Sequence, residues 1–88
     1  MFNNVKIKDV KLESGALVKV LRKREKLSQQ ELGDLLGLSR ITIQNLESGK
    51  NFTIDTFLKV LQYFDLLPNL NEALVQKRKD FEEVESLY

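Results

Sequence analysis

The sequence predicts a small all-α fold of five helices in a chain of 88 residues. Apolar residues recur at helical spacing along most of the chain. Ser28 and Glu31 form a Ser-x-x-Glu capping box, which marks a helix start, and Gly37 is typical of the residue that follows a helix end. Only Leu38 separates this glycine from Ser39, a residue type that favours N-caps. The middle of the chain therefore predicts two short helices joined by a sharp turn.

Each of the two central helices has one apolar face. The residues expected to face the core in this stretch are Leu32, Leu35, Leu36, Ile43 and Leu46. Gly49 is expected to end the second helix. Because so short a glycine-containing turn forces the two helices to cross at a steep angle, the second helix has the geometry that can enter a DNA major groove.

Two segments precede the central helices. Residues 1–12 are predicted to form an N-terminal arm or a short strand, because apolar and polar residues alternate briefly between Val5 and Val10. A helix is then expected from about Ser14 to Glu25. Its inward residues are predicted to be Leu17, Val20 and Leu21, and its mostly outward residues Lys19, Arg22, Lys23 and Lys26.

A fourth helix is predicted to start at Thr53 or Ile54. Its apolar stripe is Ile54, Phe57, Leu58, Leu61 and Phe64. Pro68 excludes an uninterrupted helix past Leu67, because proline lacks the N–H group that a helix interior needs. The sequence therefore predicts a break before the last segment of the chain.

The last segment, residues 68–88, is predicted to be a C-terminal helix that opens near Asn69 or Asn71 and runs to about Ser86. Its apolar positions alternate in spacings of four and three residues, as in a coiled coil, with one lysine among them. These positions are Leu70, Leu74, Lys77, Phe81, Val84 and Tyr88. The side chains either fold back onto their own domain or contact a second copy in a dimer, and both interpretations stay open.

The composition excludes several classes of function. The chain has no cysteine and no histidine, so disulfides, thiolate metal sites and the Ser-His and Cys-His catalytic pairs are unavailable. Asp34, Asp55 and Asp65 are scattered, and no glycine-rich phosphate loop is present. We therefore expect no enzyme, no cofactor and no metal. No apolar run reaches the length of a membrane span, so we expect no membrane partner and a cytoplasmic, nucleoid-associated protein.

The charge is distributed unevenly along the chain although the net charge is only +1. Residues 1–50 hold ten Lys or Arg against six Asp or Glu, whereas residues 51–88 hold four against seven. The stretch from Lys19 to Lys26 alone has five basic residues and one acidic residue. A local basic surface could bind phosphates, since phosphate contacts dominate the affinity of proteins for DNA. The same charges could also only solvate an exposed helix.

The segment from Leu21 to Lys50 resembles the lambda-repressor/Cro type of helix-turn-helix, the XRE family. The resemblance extends over about residues 14–66, and the N-cap, the glycine turn, the inward Ile43 and the Leu-Glu-x-Gly ending fall at the family's spacing. The chain departs from the family pattern at Gly33, where the family prefers alanine, and at Ile41, where it usually has a polar residue. This resemblance implies a five-helix lambda-repressor-like fold with residues 13–67 as the DNA-binding domain.

The resemblance also implies the contacts with DNA. Residues implied to reach base edges are Arg40, Ile41, Thr42, Gln44 and Asn45. Residues implied to contact phosphates are Ser28, Gln29, Ser39, Lys50 and Asn51. Arg40 could donate two hydrogen bonds to guanine, Ile41 could pack on a thymine methyl group, and Asn45 could read adenine. The alternative is that Arg40, Thr42 and Gln44 are ordinary surface residues.

In proteins that are similar in this way, an arginine and a glutamate equivalent to Arg22 and Glu47 form a largely buried ion pair. The resemblance therefore implies a structural role for Glu47, which would fix the angle of the third helix.

Two functions follow from the resemblance. The first is a sequence-specific transcriptional regulator, a repressor, that binds a palindromic operator as a homodimer through residues 39–48. The second rests on residues 51–66, which are similar to the fourth helix of HipB-type antitoxins. It implies a protein that neutralises a kinase-type toxin and autoregulates its operon. The helix predicted for the C-terminal tail departs from the extended strand that such antitoxins tend to use.

Overall fold

The computed structural model describes residues 4–86, with side chains described as far as Glu83, and it has five α-helices in this range. They are α1 (Ile7–Arg24), α2 (Gln29–Leu36), α3 (Arg40–Glu47), α4 (Ile54–Tyr63) and α5 (Leu67–Ser86). The predicted all-α class is confirmed. Among the described residues, no helix has the length and apolar character needed to cross a membrane.

The prediction of an arm or strand over residues 1–12 is wrong from Ile7 onward, because these residues form the first turns of α1. The backbone N–H of Lys6 donates to the carboxylate of Asp9 at 3.0 Å, so an acidic side chain closes the helix start. A few alternating residues are too short a signal to specify a strand when the described chain offers no other strand to pair with. Residues 1–3 lie outside the described residues.

The inward face of α1 also differs from the prediction. Its buried residues are Gly15, Val18 and Arg22. Leu17 and Val20 are 39% and 55% exposed, and Leu21 is only half-buried. The predicted face is rotated relative to the observed one, because a glycine and an arginine occupy core-facing positions where an apolar pattern expects large aliphatic side chains.

The central turn forms as its capping residues predict. The hydroxyl of Ser28 accepts the backbone N–H of Glu31 at 3.0 Å, and the Glu31 carboxylate accepts the backbone N–H of Ser28 at 2.8 Å. Gly37 ends α2 in the left-handed conformation, with φ of 70°. The hydroxyl of Ser39 accepts the N–H of Thr42 at 3.0 Å and so starts α3. Two local caps and one glycine thus set the ends of both helices.

One small core joins the first four helices. Its buried aliphatic side chains are Val18, Leu32, Ile43, Leu46, Val60 and Leu61. The predicted inward positions Leu35 and Ile54 are exposed, whereas Val60 was not predicted and is fully buried. Phe52, Phe57 and other half-buried side chains cover the edge of this core. The core fixes α2 and α3 against α1 and α4, and it therefore sets how α3 is presented.

The fifth helix starts at Leu67, two residues before the earliest predicted start, with Pro68 inside its first turn. Proline is tolerated there because the first N–H groups of a helix have no partner within it. The proximal part of α5 packs against α4. The radius of gyration is 15.7 Å and the longest dimension 52 Å, compared with a radius of about 12 Å for a compact domain of this length. The distal part of α5 therefore extends away from the core.

The structure separates the two interpretations of the C-terminal seam. Leu70 is half-buried near α4, but Leu74 and Phe81 are 61% and 72% exposed. Folding back onto the domain is therefore wrong for these two side chains. The predicted contacts Val84 and Tyr88 lie outside the described side chains.

Candidate nucleic-acid interface

The outer face of α3 carries all five of the predicted base-contacting residues. Arg40, Ile41 and Gln44 are exposed, and Thr42 and Asn45 are half-buried. The opposite face of the same helix holds the fully buried Ile43 and Leu46. An eight-residue helix is therefore fixed to the core along one side and presents polar and apolar groups along the other.

The side chains on this outer face have few partners within the protein. One guanidinium nitrogen of Arg40 lies 3.4 Å from the side-chain carbonyl of Gln44, a long contact that a stronger partner can replace. Asn45 lies one helical turn after Ile41, so the two share a face. Within the described part of the chain, the Asn45 amide group makes no hydrogen bond, and Ile41 is 60% exposed. Arg40 can donate hydrogen bonds to base edges, Asn45 can donate and accept them, and Ile41 can pack against apolar groups there.

The start of α2 holds two of the predicted phosphate-contacting residues. The Ser28 hydroxyl accepts a backbone N–H, so its own proton can still be donated outward. Gln29 uses its amide group to donate to Glu47 at 3.1 Å. The carboxylate of Glu31 lies at the same helix start, and the hydrogen bond from the backbone N–H of Ser28 lowers the pKa of Glu31. An anion that binds here must therefore approach a site with a fixed negative charge nearby.

The other three predicted phosphate-contacting residues flank α3. Ser39 caps its start, and its hydroxyl is 2.8 Å from that of Thr42. Lys50 and Asn51 are exposed in the loop before α4. The backbone N–H of Lys50 donates to the carbonyl oxygen of Asn45 at 2.9 Å, so this loop is tied to the end of α3.

Behind α3, the structure brings Arg22 and Glu47 together in a buried ion pair. Arg22 Nε donates to one Glu47 oxygen at 2.6 Å and Nη2 donates to the other at 3.0 Å. The side chains are only 10% and 4% exposed. The remaining guanidinium nitrogen donates to the carbonyl oxygen of Leu27 at 2.8 Å. The hydrogen bonds to Glu47 raise the pKa of Arg22, so this residue stays charged. The prediction that Arg22 faces mostly outward is wrong.

The Glu47 carboxylate connects three elements. It accepts from Arg22 on α1 and from Gln29 on α2, while it is itself the last residue of α3. The contact with Gln29 was not predicted, because nothing in the spacing of residues 29 and 47 indicates that their side chains meet.

Two glycines let the helices approach more closely than other residues would. A Cβ atom on Gly15 would lie 2.5 Å from the carbonyl oxygen of Glu47 and would also overlap that of Leu46. A Cβ atom on Gly33 would lie 2.5 Å from the carbonyl oxygen of Leu38, in the turn. Gly33 therefore faces the turn between α2 and α3. The sequence did not predict the role of Gly15, because an isolated glycine in a helix gives no positional signal.

Pairing with Glu47 removes Arg22 from the basic surface that the sequence suggested. Four basic residues of that stretch remain exposed: Lys19, Lys23, Arg24 and Lys26. Across the residues that the structure describes, no group of three or more carboxylates is arranged to hold a metal ion.

Two comparisons with known proteins bear on this site. A family model described as Helix-turn-helix matches residues 18–69. A candidate HTH-type transcriptional regulatory protein of Methanoregula boonei is 36% identical over 52 residues. The match covers 59% of this chain but only 16% of that protein's length. Residues 18–69 include α2, α3 and α4, and thus every residue of the outer face described above.

Proposed function

Because the chain belongs to the XRE-type helix-turn-helix family, we propose that it is a DNA-binding transcription regulator that places α3 in the major groove. The observation that carries this proposal is the division of α3 into two faces. Arg40, Ile41 and Asn45 point away from the core, whereas Ile43 and Leu46 are fully buried. A helix that is fixed on one side and chemically varied on the other is suited to reading bases.

The three outer side chains suggest a target sequence. Arg40 can donate two parallel hydrogen bonds to O6 and N7 of guanine. Ile41 can pack against the methyl group of thymine, and Asn45 can pair with N6 and N7 of adenine. We therefore propose a half-site in which a thymine lies beside a guanine, with an adenine within one helical turn of α3.

Contacts with phosphates would position α3 over these bases. Ser28 and Gln29 precede or begin α2, and Lys50 and Asn51 follow α3, so the two groups lie at opposite ends of the helix-turn-helix. Such contacts fix the register of a protein on DNA without carrying sequence information. We propose that these residues, together with Ser39, hold the backbone on both sides of the recognition helix.

We further propose that the protein acts as a repressor and binds a palindromic operator as a homodimer. One domain of this size buries too little DNA surface for useful specificity, and a two-fold dimer reads two half-sites about one helical turn apart. The exposed apolar positions of α5 supply a surface through which two copies could associate.

Selection of bound duplexes from a random DNA pool tests this proposal. The proposal predicts enrichment of an inverted repeat whose half-sites contain guanine and thymine at adjacent positions. The double variant Arg40→Ala, Asn45→Ala is the control and should enrich no shared sequence. A pool that never enriches any sequence would overturn the DNA-reading role, and enrichment of single half-sites only would overturn the homodimer.

The antitoxin alternative has a different experimental signature. It requires a kinase-like protein that co-purifies with this chain and stays bound when Arg40 is replaced by alanine, because the toxin would use another surface. The same selection experiment would then still yield an operator, since antitoxins of this kind bind their own promoters. Affinity purification of the tagged chain from its native cells separates the two functions.

A further inference from the structure

An apolar groove lies between the starts of α1, α4 and α5, away from the outer face of α3. It has a volume of about 560 Å³ and its apolar lining includes Val5, Ile7, Val10, Ile54, Phe57 and Leu70. Ile7 is 78% exposed and Ile54 is 69% exposed. Because contiguous exposed apolar surface of this kind usually marks an interaction site, we expect the groove to bind an apolar group.

The same chain carries an apolar side chain that is suited to such a groove. Phe81 is 72% exposed on the distal part of α5, and Leu74 is 61% exposed between Phe81 and the groove. Leu70 belongs to both features, because it lines the groove and also starts the seam of α5. Leu70 therefore joins the groove to the seam, and the monomer leaves the seam's apolar positions Leu74 and Phe81 exposed on either side of Lys77.

The spacing of the seam defines how two copies can pair. Leu70, Leu74, Lys77 and Phe81 are separated by four, three and four residues, so the order of spacings is the same in both directions. If two α5 helices run antiparallel about a two-fold axis between residues 75 and 76, Phe81 of each copy lies opposite Leu70 of the other. That position is the edge of the groove. A two-fold axis makes this contact reciprocal.

The charges agree with this pairing. The charged residues that line the groove are Lys6 and Lys11. Phe81 has the acidic neighbours Asp80, Glu82 and Glu83, of which Glu82 also pairs with Arg78 of the same helix. An antiparallel arrangement brings these acidic residues of one copy to the lysines of the other, whereas a parallel arrangement would place the acidic residues of the two copies side by side, where they repel each other.

We propose that two copies of this chain exchange their α5 ends, with Phe81 of each copy entering the apolar groove of the other. The inference rests on the homodimer part of the proposed function and specifies its contact surface. The two α3 helices remain uncovered, because neither the groove nor the seam includes a residue of α3.

Sedimentation of the full chain over a concentration series tests the exchange. Phe81→Ser should weaken dimerisation by about 30-fold or more, since a buried aromatic anchor typically dominates an interface. Ile41→Ser is the matched control, because it removes an exposed apolar side chain of α3 and should leave the dimer unchanged. Circular dichroism checks that both variants keep the helical content of the parent. An unchanged dimer in Phe81→Ser would overturn the proposal.

Engineered cysteines test the direction of the pairing, because the natural chain has no cysteine. A mixture of Ile54→Cys and Phe81→Cys proteins should form a disulfide between the two variants under mild oxidation. Phe81→Cys alone should not, because antiparallel pairing separates the two positions by about 16 Å along the helix axis. Efficient cross-linking of Phe81→Cys to itself would overturn the exchange in favour of a parallel pair.

The outcomes also separate this inference from the proposed function. If Phe81→Ser loses the dimer while Ile41→Ser dimerises normally but loses the selected operator, the exchange and the DNA-reading role both stand. If Phe81→Ser stays dimeric and binds DNA, the exchange is wrong and the regulator stands. If the parent protein is monomeric at every concentration, the exchange and the homodimer fail together, and a different protein is the occupant of the groove.

Discussion

Glu47, at the end of α3, is hydrogen-bonded to side chains of two other helices, and we propose that it fixes the orientation of α3. Its side chain is only 4% exposed. Replacing it by alanine would leave the Arg22 guanidinium buried without its charge partner, a change that typically costs about 3–5 kcal/mol of unfolding free energy. We therefore expect Glu47→Ala to lower Tm by more than about 10 °C.

The exposed pair of Arg78 and Glu82 on α5 is the matched control. Their contact of 2.7 Å has the same chemistry, but the side chains are 57% and 60% exposed. Glu82→Ala should change the unfolding free energy by less than about 1 kcal/mol, because water screens such pairs. The loss of unfolding free energy in Glu47→Gln should lie between the losses in Glu47→Ala and Glu82→Ala. Equal effects of Glu47→Ala and Glu82→Ala in thermal unfolding would reject the structural role of Glu47.

Gly15 gives a second prediction at a single position. Alanine is ordinarily better than glycine in a helix by about 1 kcal/mol, so Gly15→Ala should stabilise the protein if only helix propensity mattered. We expect it to destabilise by about 1–3 kcal/mol, because its Cβ atom would overlap the backbone at the end of α3.

Ala16→Gly on the exposed face of α1 is the control for Gly15→Ala. It should cost about 1 kcal/mol through propensity alone. Denaturant unfolding of both variants separates the two effects. A stabilised Gly15→Ala protein would contradict the close contact between α1 and the end of α3.

The sequence could predict single residues where a local rule applies. The Ser28 cap and the inward Ile43 follow from spacing within a few residues, and both are observed. Apolar spacing could not locate Gly15 and Arg22 in the core, because their burial depends on what α3 brings opposite them, and only the family resemblance implied a buried position for Arg22. A pattern of apolar residues cannot reveal a core position that is filled by a glycine or by a charged residue in an ion pair.

The start of α2 makes the stability of the folded protein depend on pH. The pKa of Glu31 is lowered by the hydrogen bond from the Ser28 backbone, so the ionised carboxylate stabilises the folded state above the ordinary pKa of glutamate. This contribution should be lost as the pH falls through the lowered value. Glu31→Gln, which keeps a cap but cannot ionise, should be less stable than the parent at neutral pH.

The difference in Tm between the parent and Glu31→Gln should shrink steadily in acid, because the protonated glutamate resembles glutamine. This difference in Tm is measured by thermal unfolding of both proteins at neutral pH and at several pH values below about 4.3. A difference that stays constant across this series would contradict the role of the ionised carboxylate.

The sequence could predict most helices but not all of their ends. α2, α3 and α4 start at the residues that their caps indicate, because Ser28, Ser39 and Thr53 accept backbone N–H groups as expected. α1 starts earlier than predicted because Asp9, five residues before the expected start, caps it. α5 also starts earlier, because the rule that proline ends a helix does not apply in a first turn.

The protein has two exposed surfaces, and we propose a different contact for each. The outer face of α3 points away from the core of four helices, and the exposed seam of α5 extends from that core. The sequence predicted the seam but could not decide between self-packing and dimerisation, since both need the same apolar spacing. Exposure in the folded chain excludes self-packing for Leu74 and Phe81.

If the two surfaces act together, loss of the dimer should weaken binding to a full operator. Phe81→Ser should need a higher protein concentration to occupy a palindrome, because the second half-site is no longer bound by a tethered partner. Its affinity for an isolated half-site should equal that of the parent. Mobility-shift titrations with both duplexes give this comparison, and an equal loss on both would show that Phe81 acts on the fold or on DNA directly.

Binding of the parent and of Arg40→Ala to two duplexes at one salt concentration tests whether α3 reads bases. On the selected operator the substitution should cost about 1–3 kcal/mol of binding free energy. On a random duplex of the same length it should cost almost nothing. An equal loss on both duplexes would make Arg40 a phosphate contact, and no loss on either would contradict the placement of α3 in the major groove.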